Sequence, residues 1–151
     1  SECGGDWWGF SEINDKTIVF IGDATGHGVP AALITATAYT SVNIIEDLSR
    51  SNPEISLSPD KILEQMNHAV YKMGGQILMT FFVGVIDHRS KILTYSNASH
   101  NPPFLLTNNA GGSPTKEDIM PLDGNPGYRL GQNSDSTYEA FQEQFSKVAS
   151  L

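Results

Sequence analysis

Two stretches of this chain are apolar on both faces of an extended strand: Ile18, Val19, Phe20 and Ile21, and the run over 79–86. A strand with one wet face alternates apolar and polar residues, so a run without alternation calls for a covering layer on each side. The chain must therefore fold as layers around a buried sheet. Its 151 residues are enough to do so, since a domain of this size buries about two thirds of the surface its unfolded chain exposes. A hydrophobic share of 39% is ordinary for a globular domain. We expect residues 1–151 to form a single domain.

The remaining elements follow from local pattern. Residues 7–13 and 17–22 are β-rich and are joined across the turn-forming pair Asn14-Asp15, which reads as an antiparallel hairpin. After the glycine-rich stretch 22–28, Pro30 marks the start of a helix expected to reach about Leu48. Its three-to-four spacing is carried by Leu33, Thr37, Thr40, Ile44 and Leu48, with Ile34, Ala38, Val42 and Ile45 beside them. Ser58-Pro59-Asp60 reads as the N-cap and first turn of a second helix, with Ile62, Met66, Ala69 and Met73 as its buried face and Gly74-Gly75 as its stop. Strands are expected over 79–86 and 91–98, with a short one over 104–106 and a late one over 138–145. Segments 108–113 and 123–136 read as loops. The order implies an α+β sandwich of antiparallel strands with two helices covering one side.

Charge narrows the function. The net charge is −8 and there is no Lys/Arg-rich tract, so a nucleic-acid or anionic-membrane surface, which needs a basic footprint, is disfavoured, and cationic partners are favoured. The single cysteine, Cys3, forms no internal disulfide. Without a long apolar run or a signal-like beginning, a cytoplasmic location and no direct membrane insertion are expected. The chain opens without methionine on Gly4-Gly5, which reads as a piece of a longer protein.

The hairpin carries the sharpest chemical feature. With Asn14 and Asp15 as its two loop residues, Asp6 falls directly opposite Asp23; a four-residue loop would set Asp6 against Thr25 instead. Opposed carboxylates repel unless one protonates or a cation lies between them. Asp23 also lies where a buried strand runs into Gly22, Gly26 and Gly28, residues that permit close backbone approach. Oxygen donors favour Mg²⁺ or Mn²⁺ over Zn²⁺. Taken singly, Gly4-Gly5-Asp6 and Gly22-Asp23 read equally well as turns. The glycine run lacks the lysine of a phosphate-binding P-loop.

Four motifs in order carry a resemblance: Gly4-Gly5-Asp6-Trp7-Trp8; Ile21-Gly22-Asp23-Ala24-Thr25-Gly26-His27-Gly28-Val29-Pro30-Ala31-Ala32; Thr80-Phe81-Phe82-Val83-Gly84-Val85-Ile86-Asp87; and Tyr95-Ser96-Asn97-Ala98-Ser99-His100-Asn101-Pro102-Pro103. Together they resemble the SpoIIE-like branch of the PPM-type, metal-dependent bacterial serine/threonine protein phosphatases. The resemblance implies an αββα sandwich, two antiparallel sheets between helical layers, with a two-metal site of Mn²⁺ or Mg²⁺ at one edge. By motif match Asp6 would bind one metal, Asp23 would bridge both, and the backbone carbonyl of Ala24 would complete the set where many relatives have glycine. Water shared by the metals would then attack phosphoserine or phosphothreonine.

Other motif residues have plainer readings. His27 invites a general-acid role, yet a position at the start of the first helix explains it equally well. His100 and Asn101 are expected to fix a turn through side-chain to backbone hydrogen bonds, with Ser99 straining that turn where the family usually has glycine. Asp87 is expected to shape a hairpin. Trp7 and Trp8 alternate across a strand, which puts one in the core and the other at the site mouth or on a partner surface.

The family's later metal-binding aspartates have no counterpart here, because Asp118, Asp123 and Asp135 lie in polar loop sequence. The expectation is a phosphatase parent and a piece that binds metal weakly and turns over poorly. The resemblance further implies an upstream sensory or receiver domain and a phosphorylated regulatory protein, such as an anti-sigma-factor antagonist, as substrate. Two competing readings are a non-catalytic interaction module and a hydrolase of small phosphoesters.

Overall fold

The computed structural model describes residues 6–26, 28–52, 57–73, 77–107, 115–145 and 149–150. Eight strands and two α-helices follow in the order β1 (Asp6–Ile13), β2 (Lys16–Ala24), α1 (Val29–Ser51), α2 (Pro59–Lys72), β3 (Met79–Asp87), β4 (Ile92–Ala98), β5 (Phe104–Thr107), β6 (Ile119–Pro121), β7 (Phe141–Gln144) and β8 (Ala149–Ser150), with a 3₁₀ turn at Lys116–Asp118. The first sheet has the order β1-β2-β3-β4-β7 and the second β6-β5-β8. Every pairing between these strands is antiparallel, so the expected α+β sandwich is the observed one.

The pleat of the first sheet separates two cores. Ile18 and Phe20 of β2, with Phe81, Val83 and Val85 of β3, pack against Ala31, Ile34, Ala38 and Val42 of α1 and Ile62, Leu63, Met66 and Val70 of α2. From the opposite face Phe82, Leu93 and Tyr95 pack with Leu105, Leu122 and Phe145, joined by Val19, Ile21 and Ile86. The two doubly apolar runs are thus covered on both sides because successive side chains enter different layers.

The first helix leaves part of its expected stripe outside, and the second keeps Ile62 and Met66 inward but turns Leu63 and Val70 in beside them in place of Met73. In α1 the buried residues are Ala31, Ile34, Ala38, Val42 and Ser49, whereas Leu33, Ile44 and Leu48 are more than half exposed. The helix lies close to the sheet along its small residues, and the bulky ones flank the contact. In α2 the buried face is Pro59, Ile62, Leu63, Met66, Asn67 and Val70, while Met73 is exposed. Gly74-Gly75 and the expected loop 108–113 lie outside the described residues. Ser58 is the N-cap of α2 as expected, although its hydroxyl bonds to the Asp60 carboxylate and not to the helix backbone.

The turn residues behave as their chemistry requires. Asn14 takes a left-handed φ of 48° in the two-residue hairpin loop. Asp87 closes the β3–β4 turn by accepting from the N–H groups of Arg89 (2.9 Å) and Ser90 (3.0 Å), and the Ser90 bond is the largest cause holding its carboxyl below the ordinary value.

Candidate metal centre

The site begins with register. β1 and β2 pair with Asp6 opposite Asp23 and Ile13 opposite Lys16, the alignment a two-residue loop dictates. The Thr25 N–H donates to the Leu78 carbonyl at 2.7 Å, so Thr25 and, two residues earlier, Asp23 direct their main-chain groups toward β3. Asp6 and Asp23 are therefore a non-hydrogen-bonded pair, the closer of the two kinds, with Cα atoms roughly 4.5 Å apart. By the same alternation the carbonyl of Ala24 turns toward the β1 side, while its side chain is buried in the helix-side core.

Gly22 makes this geometry possible. A Cβ at that position would lie 2.4 Å from the Phe81 ring and 2.7 Å from the end of the Met79 side chain. Only a residue without a side chain lets β2 pass under Phe81 and deliver Asp23 to the opposite face. Beyond it, Gly26 and Gly28 hold positive φ of 89° and 82°, and Gly28 is the N-cap of α1. His27 lies outside the described residues.

The electrostatics match two acids in one place. Both side chains are exposed, yet partial burial pushes the Asp23 carboxyl above its ordinary value. The charge of Asp6 and a hydrogen bond with it add to the effect, and His100 opposes it. Such a pair, acceptor-only when ionised and reluctant to ionise twice, fits a hard divalent cation. The two carboxylates and the Ala24 carbonyl could offer three oxygens toward a shell of about six. Among the described residues no group of three or more His, Cys, Asp or Glu stands ready to hold a metal. Asp118 is engaged in a capping box with Thr115.

His100 is not where the turn reading put it. The turn is fixed by Asn97, whose carboxamide accepts from the His100 N–H (2.7 Å) and donates to the His100 carbonyl (2.9 Å). Asn101 is exposed. The His100 ring instead meets Thr80, with Nδ1 2.9 Å from Oγ1, and burial pulls its pKa below the usual value against the opposing charges of Asp23 and Asp6. The signal was present in two ladders: β2–β3 sets Asp23 opposite Thr80, and the β3–β4 pairing carried past Asn97 brings the following residues to the start of β3. Ser99 has φ 58°, in the left-handed region that favours glycine.

The tryptophans divide as alternation requires. Trp7 stacks on Phe20 and meets Tyr39 edge-on. Trp8, 75% exposed, lies on the face of Asp6 and Asp23, two pairs further along the ladder, opposite Ile21. Trp8 and Ile21, with Phe10, Val19 and Phe82, line an apolar groove of about 430 Å³.

The family model for Stage II sporulation protein E (SpoIIE) matches residues 13–151. The chain belongs to the SpoIIE family. Its fold is that of PP2C phosphatase domains. The SiaA PP2C domain of Pseudomonas aeruginosa superposes with a TM-score of 0.70 at 20% identity, over 95% of this chain and 52% of that one. The RsbU and RsbW domains of a Mycobacterium tuberculosis protein give 0.74 at 23%, over 97% and 38%. The PP2C domain of SpoIIE from Bacillus subtilis, with a fragment of its regulatory domain, gives 0.66 at 16%, over 97% and 41%. This SpoIIE-family chain thus spans about half, or less, of each of these three structures. RsbX, described in complex with magnesium, gives 0.63 at 18%, over 99% and 64%. No helix among the described residues is long and apolar enough to cross a membrane.

Proposed function

We propose that residues 1–151 belong to one phosphatase-type domain whose parent protein hydrolyses phosphoserine or phosphothreonine on a regulatory protein, with Mg²⁺ or Mn²⁺ at Asp6, Asp23 and the Ala24 carbonyl. The observation that carries this reading is the closely opposed Asp6–Asp23 pair in a SpoIIE-family fold. Divalent cations bound there would acidify water and neutralise phosphate oxygens. Asp23 and Asp6 would hold the cation, and the pleat keeps both carboxylates on the face away from the helix-side core. The magnesium of RsbX supports the choice of a hard cation.

The groove beside Trp8 and Phe10 favours a protein substrate over a small phosphoester, since it offers an apolar wall next to the carboxylates. The experiment is release of phosphate from a phosphoserine protein by the parent protein. Release that requires Mn²⁺ or Mg²⁺ and is lost in Asp23→Asn supports the reading. Equal release on small phosphates alone moves it to a small-phosphoester hydrolase. Absence of cation binding by calorimetry replaces it with an interaction module.

A further inference from the structure

We propose that His100 is a positioning residue of the carboxylate site, holding the main chain of Asp23 through the hydroxyl of Thr80. This rests on the cation reading above and deepens it.

The loop after β4 is built to aim this ring. Asn97 is 2% exposed and grips both main-chain groups of His100. The Ser99 hydroxyl donates to the Gly127 carbonyl at 2.7 Å, and the Gly127 N–H donates to the Asn97 carbonyl at 2.8 Å. The main chain at Ser99 also bridges to Phe81. These bonds satisfy the turn without the imidazole. Its ring is nonetheless directed at Thr80, which is the ladder partner of Asp23 and holds its Oγ1 3.5 Å from the Asp23 carbonyl.

The hydroxyl of Thr80 has one proton. Donated to the Asp23 carbonyl, it leaves Oγ1 to accept from Nδ1–H of His100, a relay from the imidazole through Thr80 to the Asp23 main chain. The tautomer is thereby set, with the proton on Nδ1 and the lone pair on Nε2. Outer hydrogen bonds that orient ligand residues are worth roughly 10- to 100-fold in metal affinity.

The test uses this chain with Mn²⁺ as the only probe, followed by calorimetry. His100→Ala and Thr80→Val are each expected to weaken Mn²⁺ binding by about tenfold or more, and the double variant no further than the worse single, because both break one relay. Thr80→Ser, which keeps the hydroxyl, and His100→Asn, whose amide can stand in for Nδ1–H, are expected to restore it. If His100→Ala does not fold, the comparison of Thr80→Val with Thr80→Ser decides the same question. In the unsubstituted protein, ¹⁵N shifts of the ring are expected to report the Nδ1–H tautomer. The Nε2–H tautomer overturns the proposal. So does Mn²⁺ binding that survives His100→Ala and Thr80→Val but is abolished by Asp23→Asn, an outcome that leaves the cation reading standing. If the unsubstituted protein takes up no Mn²⁺, the cation reading falls and this proposal falls with it.

Discussion

Asp6 and Asp23 face each other as an exposed, non-hydrogen-bonded pair, the position in an antiparallel ladder where opposed side chains are closest. Two like charges there weaken the metal-free fold, so Asp23→Asn is expected to stabilise it by about 0.5 kcal/mol, a rise in Tm of roughly 1–2 °C. Mn²⁺ at a hundred times its Kd is expected to stabilise the unsubstituted protein by about 2.7 kcal/mol and the variant far less. Thermal melts with and without Mn²⁺ check both. A metal-free variant that melts lower than the parent would show that another group already holds the Asp23 carboxylate.

The direction of the Asp23 shift sets a pH dependence. Its carboxyl is raised in the folded state by partial burial and by Asp6, so the fold binds that proton more tightly than the unfolded chain does. In metal-free protein the resulting penalty is fully present above the folded pKa and is relieved as pH falls through it toward the unfolded value. Cation binding needs the ionised form, so Mn²⁺ affinity is expected to start falling at a higher pH than for an ordinary carboxylate. Calorimetric titrations between pH 7.5 and pH 4.5 check this, and Asp6→Asn is expected to move the fall to lower pH. An affinity flat over that range removes Asp23 from the ligand set.

The passage of β2 beneath Phe81 depends on a missing side chain. Gly22→Ala forces a Cβ against the ring and is expected to destabilise by about 1–3 kcal/mol through overpacking, while reducing Mn²⁺ affinity because Asp23 is the next residue. Chemical denaturation and calorimetry on one preparation check the two effects. A neutral Gly22→Ala would mean that Phe81 can swing aside.

The two neighbouring tryptophans should respond very differently. Trp7→Ala removes a ring packed on Phe20 and Phe81 and is expected to lose about 3 kcal/mol. Trp8→Ala, at a largely exposed position, is expected to stay within about 0.5 kcal/mol and to raise KM for a phosphoprotein without lowering kcat. Urea denaturation and steady-state kinetics of the parent protein separate them, and loss of kcat with unchanged KM in Trp8→Ala would exclude a substrate wall.

Much of this was legible in the chain itself. The Asn14-Asp15 turn fixes the whole β1–β2 register, because a two-residue loop leaves one alignment. Alternation sorts Trp7 from Trp8. The inward face of the first helix was legible in part: Ile34, Ala38 and Val42 of the expected stripe are buried, whereas Leu33, Ile44 and Leu48 are not, because close approach to a sheet also selects Ala31. β6, three residues long, offers too few positions for alternation to register. His100 was misassigned for a different reason. Its ring partner lies twenty residues away, and only two ladders read together bring the pair to Asp23.

The pleat of β2 has a consequence for inheritance. Ile18, Phe20 and Ala24 belong to the layer that holds the domain together, and Val19, Ile21 and Asp23 point to the other face. A lineage can exchange residues around the groove beside Trp8, and so try new substrates, without disturbing the helix-side layer. Gly22 is the position where that independence ends. It belongs to the core by packing and to the chemistry by adjacency, so drift there would be judged on both counts at once.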